Sequence, residues 1–247
     1  FVLFCFIATF LSITGVTVLS FFVVKREERG EFVQGAYRSS AAILGIAFIQ
    51  NIYGTSGMAP LMIIGTVPLY NAFAVIVLSL LKPGQRKMDK ALLQKTLKGI
   101  VTNPIILGIA AGFVWAILKI PQPEILQKTV KNMAVLATPL GLMAMGASFE
   151  GKKALGKLKP TLIASALKLV VLAAIFLPIA VWLGYRESEL VAILVMLGSA
   201  TTVSSFVMAR NMGHEGILTS SIVMVTTLCS AFTLTGWLFL LKTLGLV

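Results

Sequence analysis

The sequence predicts an all-α membrane protein, and three observations carry that expectation. Of its 247 residues 57% are hydrophobic and only 12% are charged, about half the charge of a soluble domain. The mean hydropathy is +0.95. The 21 Lys and Arg against 9 Asp and Glu, a formal charge of +12, gather mostly in short clusters between apolar runs. A basic soluble protein would suggest nucleic acid as a partner, whereas charge confined to the gaps between apolar runs points to a lipid bilayer and away from nucleic acid. A water-soluble enzyme is excluded on the same grounds. Cys5 and Cys229 lie inside apolar runs, at a spacing that fits neither a disulfide framework nor a metal site.

A helix crossing the hydrocarbon layer takes about 20 apolar residues. Residues 1–24 supply the first span. The uncharged stretch from Ser39 to Leu81 is too long for one crossing and divides into two at Tyr53-Gly54-Thr55-Ser56-Gly57, its best turn chemistry. Further spans are expected at 99–118, 132–149, 160–184, 190–209 and 216–241, eight in all. Successive loops test this count, because Lys and Arg collect on the cytoplasmic side. Alternate loops carry four, six, four and one Lys or Arg, against none, three, one and one in the loops between them and the C-terminus. The basic loops are therefore assigned to the cytoplasm and both ends of the chain to the opposite side. Residues 82–98, opened by Pro83-Gly84, read as a basic cytoplasmic linker between three spans in 1–81 and five in 99–247. Two inverted repeats need an odd number of helices each, so a ten-helix, five-plus-five fold is expected, with two spans ahead of Phe1.

Two spans look weakened. Counting back about 20 residues from Tyr53 starts the second span near Phe32 and puts Arg38, Ser39 and Ser40 at membrane depth. A start at Ser39 instead leaves it unusually short, itself a mark of a broken helix in transporters. Its centre is rich in small residues, and Gly45 would let another segment approach closely. In a five-helix repeat its counterpart is the seventh span, where Gly198-Ser199-Ala200-Thr201-Thr202-Val203-Ser204-Ser205 is the densest hydroxyl cluster of any span. Hydroxyls compete for backbone hydrogen bonds and satisfy freed groups, so this stretch unwinds at moderate cost. Two broken helices crossing near the midplane would point freed N–H groups and positive half-helix ends at an anion. The plainer alternative is that these Ser and Thr side chains only pack helices together.

The stretch Phe32-Val33-Gln34-Gly35-Ala36-Tyr37-Arg38-Ser39-Ser40 is followed by Gly45 and Tyr53-Gly54, by Asn103-Pro104, by Pro139-Leu140 with Met145-Gly146-Ala147, and by Phe206 to Gly213. In this order the motifs resemble the auxin efflux carrier family, which includes plant PIN auxin exporters and bacterial permeases linked to malate and malonate. The resemblance covers essentially the whole chain and makes it the last eight of ten helices. It implies a scaffold domain, a transport domain whose two broken helices cross at the substrate site, a homodimer formed through the scaffold and, on the permease side, a bacterial plasma membrane. Two departures stand out: Ser40 occupies a position where the family usually has Asn, and Ala200 and Ser205 stand where proline occurs in the second crossing helix. They leave unwinding to hydroxyls and weaken the case for auxin as the ligand.

Other residues divide between functional and structural readings. Arg38 could grip a carboxylate bidentately or anchor the end of the second span. Asn71, following Pro68, needs a hydrogen-bond partner and reads equally as packing or as substrate contact. Lys168 is expected to snorkel to the cytoplasmic interface. Asn103-Pro104 reads as a helix start. Arg210, Asn211 and His214 close the seventh span on the basic side. The expected spans contain no Asp or Glu, no phosphate loop is present and the single His lies in a loop, so neither cofactor, metal nor enzymatic role is expected. The sequence reading is a secondary transporter moving a small organic anion, a mono- or dicarboxylate such as malate or malonate, by alternating access. Backbone N–H groups, Ser39, Ser40, Thr201, Thr202, Ser204, Ser205 and Arg38 would hold the anion, with Gly45 and Asn71 beside them. A sodium-coupled bile-acid-type symporter of the same fold and a channel or sensor are the rival readings.

Overall fold

Long uninterrupted apolar runs fold as single helices, and the two weakened spans fold in pieces. A computed structural model describes residues 1–84, 94, 97–99, 101–102 and 104–247, and all regular structure among them is helical. Helices α1 (Val2–Val23), α4 (Ala59–Leu80), α6 (Glu124–Ala147), α8 (Leu158–Trp182) and α11 (Ile217–Thr243) are long and apolar enough to cross a membrane. Helix α5 (Pro104–Ile117) is shorter. The second expected span consists of α2 (Arg29–Tyr37), an extended stretch over 38–40, a π-helical turn (Ala41–Gly45) and α3 (Ile46–Tyr53). The seventh consists of α9 (Glu187–Gly198), a non-helical stretch over 199–203, and α10 (Ser204–Asn211). The short α7 (Gly151–Gly156) leads into α8. Asn103 and most of the 82–98 linker lie outside the described residues.

Three expectations need correction. The helix of the second expected span starts at Arg29, ahead of both Phe32 and Ser39, and so takes in Glu31, an acid that the expected spans lacked. Glu31 is 2% exposed. Its carboxylate accepts the N–H groups of Gly216 and Thr219 at 2.9 Å and the Thr219 hydroxyl at 3.0 Å. It thereby satisfies the orphan donors at the start of α11, where a negative charge also suits the helix dipole. The helix of the fifth expected span begins at Glu124, well before residue 132, directly after Pro123, and Glu124 pairs with Lys128 at 2.6 Å across its first turn. Lys168 does not snorkel; it is fully buried.

The core explains why the broken segments sit where they do. All nine residues from Leu190 to Gly198 on α9 are buried, as are Gly30 to Tyr37 on α2. Helix α9 is apolar through this stretch, as suits the middle of a bundle, and the buried polar groups of α2, Glu31 and Gln34, are hydrogen-bonded to neighbouring segments. Helices α1, α4, α8 and α11 pack around these two. Close approach depends on glycine. A Cβ at Gly35 would come within 2.7 Å of Ile222 on α11, and one at Gly65 within 2.9 Å of the Val2 carbonyl on α1. Helix α6 flanks this body with only Gly141 and Met145 buried, and Gly141 faces Val203 in the second break.

Candidate functional site: the crossing of two helix breaks

The two breaks meet. The Ser40 N–H in the first donates to the Ala200 carbonyl in the second at 3.0 Å, and the Thr201 hydroxyl donates to the Gly35 carbonyl, at the end of α2, at 2.7 Å. Gln34 sends its amide Nε2 to the Ser205 carbonyl at 2.7 Å, and the Thr201 N–H donates to the Thr226 hydroxyl of α11 at 3.1 Å. Each break thus satisfies groups that the other has released, which is what buried irregular backbone requires. The π turn follows from the same geometry, since the Ser40 carbonyl accepts both the Leu44 and Gly45 N–H groups, at 2.9 and 3.4 Å. Three further buried oxygens here, Gln34 Oε1, Ser199 Oγ and Ser205 Oγ, make no hydrogen bond with the described residues.

A cavity of about 540 Å³ opens on the crossing, within the range of small-molecule sites. Arg38, Ser39 and Ser40 line it from the first break, and Thr201, Thr202 and Ser204 from the second. Asn71 and Tyr70 of α4 close one side, and Ala137 and Thr138 of α6 the other. No Asp or Glu is among the described residues that line it. Of the residues picked out by sequence, Gly45 and Ser205 stand outside the lining. Gly45 fits between Met62 of α4 and Val195 of α9, where an added Cβ would meet both at 3.2 Å, and Ser205 is fully buried.

Arg38 is the one arginine among the described residues of the lining and is only 4% exposed. Its Nη2 donates to Asn71 Oδ1 at 2.6 Å and its Nη1 reaches Met208 Sδ at 2.7 Å, so both of these partners are neutral. Asn71 is oriented for this by its own Nδ2, which donates to the Val67 carbonyl one turn back at 3.0 Å, within α4 and not across to a neighbouring helix. Helix geometry adds to the charge. The turn beginning at Ala41 and helix α10 both start at the crossing, and the first N–H groups of a helix lack intrahelical partners. A guanidinium, two helix starts and a set of hydroxyls, with no acid among the described lining residues, are chemistry that accepts an anion.

Sequence reading missed Tyr70, whose hydroxyl lies 3.2 Å from Ser39 Oγ and donates to the Met196 carbonyl at 3.3 Å. Gln34, which ties the two breaks together, was also missed as a site element. Their only sequence signal was a polar side chain within a buried helix. At the basic end His214 is buried with Nε2 2.9 Å from the Leu78 carbonyl, while Lys157 pairs with Glu215 at 2.7 Å. The neighbouring Lys157 ammonium holds the Glu215 carboxyl below the usual carboxylate range.

A search among curated proteins returns no match. The model of the membrane transport protein family matches residues 1–238, nearly the whole chain. The chain therefore belongs to the membrane transport protein family, that of the auxin efflux carriers.

Proposed function

We propose that the chain is a secondary carrier that moves a small organic anion, a mono- or dicarboxylate such as malate or malonate, by alternating access. The observation that carries this reading is Arg38, a buried guanidinium at the mouth of both breaks whose hydrogen-bond partners are neutral. A buried charge without a counter-charge is costly, and an incoming carboxylate relieves that cost while accepting a bidentate pair of hydrogen bonds. Ser39, Ser40, Thr202 and Ser204 supply donors around it, and the single cation among the described lining residues suits one carboxylate group per substrate at this point.

In this reading the breaks are counterparts in two inverted repeats, 1–81 and 99–247, joined by the basic cytoplasmic linker 82–98, and the chain crosses the membrane eight times. Packing supports a division that cuts across those repeats. Helices α1 to α4 and α8 to α11 form the body that holds the site and would move, and α5 and α6 form part of a scaffold against which it moves. Thr138 and Ala137 on α6 line the cavity, so a shift of the body past α6 would change which side the anion sees. We assign the chain no enzymatic step.

The test is transport by purified protein in liposomes preloaded with malate or malonate. A carrier gives saturable uptake accelerated by internal substrate, without a sodium requirement. Uptake that depends on sodium would move the chain to the symporter class, and nonsaturating current would make it a channel.

A further inference from the structure

Four half-helix ends meet at the crossing, and two have the wrong sign for an anion. Helices α2 and α9 both end there, so each presents the negative end of its dipole. Helix α2 carries Arg38 at its C-terminal cap. Helix α9 has no basic residue in its last turn, and the cation comes from elsewhere. Lys168 of α8 is fully buried, and its Nζ donates to the Leu197 carbonyl at 2.8 Å and the Met196 carbonyl at 3.2 Å, in the last turn of α9. A π turn over Leu167–Val171 places it there. Such a turn inserts one extra residue into the helix and re-aims its side chains. The turn packs directly against Gly198 at the end of α9, where an added Cβ would lie in ordinary contact, 3.6 Å from the Leu169 carbonyl.

We propose that Lys168 is the second fixed positive charge of the anion site, acting from behind the second break. It rests on the carrier reading for the nature of the ligand but not for the existence of the field. The Met196 carbonyl that Lys168 holds also accepts the Tyr70 hydroxyl, which in turn lies 3.2 Å from Ser39 Oγ. One carbonyl therefore separates the ammonium from a cavity-lining residue. None of the ion pairs among the described residues includes Lys168. The ammonium offsets the negative end of α9 and leaves the crossing net positive, so anion affinity depends on a side chain that does not line the cavity.

K168Q tests this, because the amide keeps a donor for the carbonyls and loses the charge. A nitrile reporter is built by cyanylating a cysteine introduced at Ala42, a cavity-lining position, with exposed Cys229 replaced by serine. The nitrile stretch of the ligand-free full chain in nanodiscs reads the field, and calorimetry reads malonate binding. We expect K168Q to shift the nitrile band and weaken malonate binding by about tenfold, the scale of one unit charge removed from the surroundings of a site of intermediate dielectric. K168R, which keeps the charge, is expected to hold the original band and affinity. An unshifted band in K168Q overturns the proposal, as does a K168R band displaced as far as that of K168Q. A shifted band in a protein that never binds malonate upholds the charge assignment and instead counts against the carrier reading. K168M replaces K168Q if the glutamine variant does not fold.

Discussion

Replacing Arg38 separates a site that binds a carboxylate from one that merely packs helices. The guanidinium is buried at the cavity wall, holding Asn71 Oδ1 at 2.6 Å and Met208 Sδ at 2.7 Å. A charge-assisted pair from guanidinium to carboxylate contributes about 2–3 kcal/mol beyond water, which corresponds to roughly 30- to 150-fold in affinity. Arg38→Ala should weaken malonate binding by that factor. Arg38→Lys keeps a point charge but loses the planar fork, and should weaken it by roughly five- to tenfold. Stability responds differently. The alanine variant leaves Asn71 Oδ1 short of a donor, costing about 1 kcal/mol, but also removes a buried charge that has no ion-pair partner among the described residues. The two changes oppose each other, so the thermal transition in detergent should move little while binding falls. The assay is calorimetry of malonate against protein in nanodiscs, with the melt recorded on the same samples. An alanine variant that folds normally and binds within twofold of the original would refute the reasoning and return Arg38 to a structural role.

Three further predictions concern the frame around the site. Glu31→Gln should lower stability by about 2–4 kcal/mol, because an amide cannot accept all three hydrogen bonds at the start of α11 and loses the dipole interaction; denaturation in mixed micelles measures it. Gly65→Ala should destabilise by about 1–3 kcal/mol because its Cβ would press on the Val2 carbonyl, whereas Gly236→Ala, with open space around it, should be neutral or slightly stabilising. The Glu215 carboxyl is held low by Lys157, so the stability from that link is present at neutral pH and is lost as pH falls through the lowered value. In Lys157→Gln the Glu215 carboxyl should titrate at higher pH, read from its ¹³C chemical shift; an unchanged midpoint would disprove the coupling.

The two breaks were legible because their causes are local. Hydroxyls crowd 199–205, and the distance back from Tyr53 forces irregularity near Arg38. What the breaks touch was not legible. Gln34 and Ser205 are 171 positions apart in the chain, and no spacing rule joins them. Lys168 departs from expectation for a related reason: a lysine two to three turns inside a span can still reach for the interface, and only the end of α9 explains why this one stays inside. Glu31 escaped because spans were drawn to exclude charge, while a carboxylate that caps a neighbouring helix carries its own compensation. Of the residues expected at the site, Arg38, Ser39, Ser40, Asn71, Thr201, Thr202 and Ser204 come together around one cavity. Gly45 and Ser205 support it from the packing behind.

The most direct measurement is an anomalous-scattering map of the protein crystallised with bromomalonate. The account predicts a bromine peak inside the cavity bounded by Arg38, Asn71 and Thr202, with carboxylate density on the guanidinium. A peak elsewhere, or none at a concentration that saturates binding in solution, would contradict it.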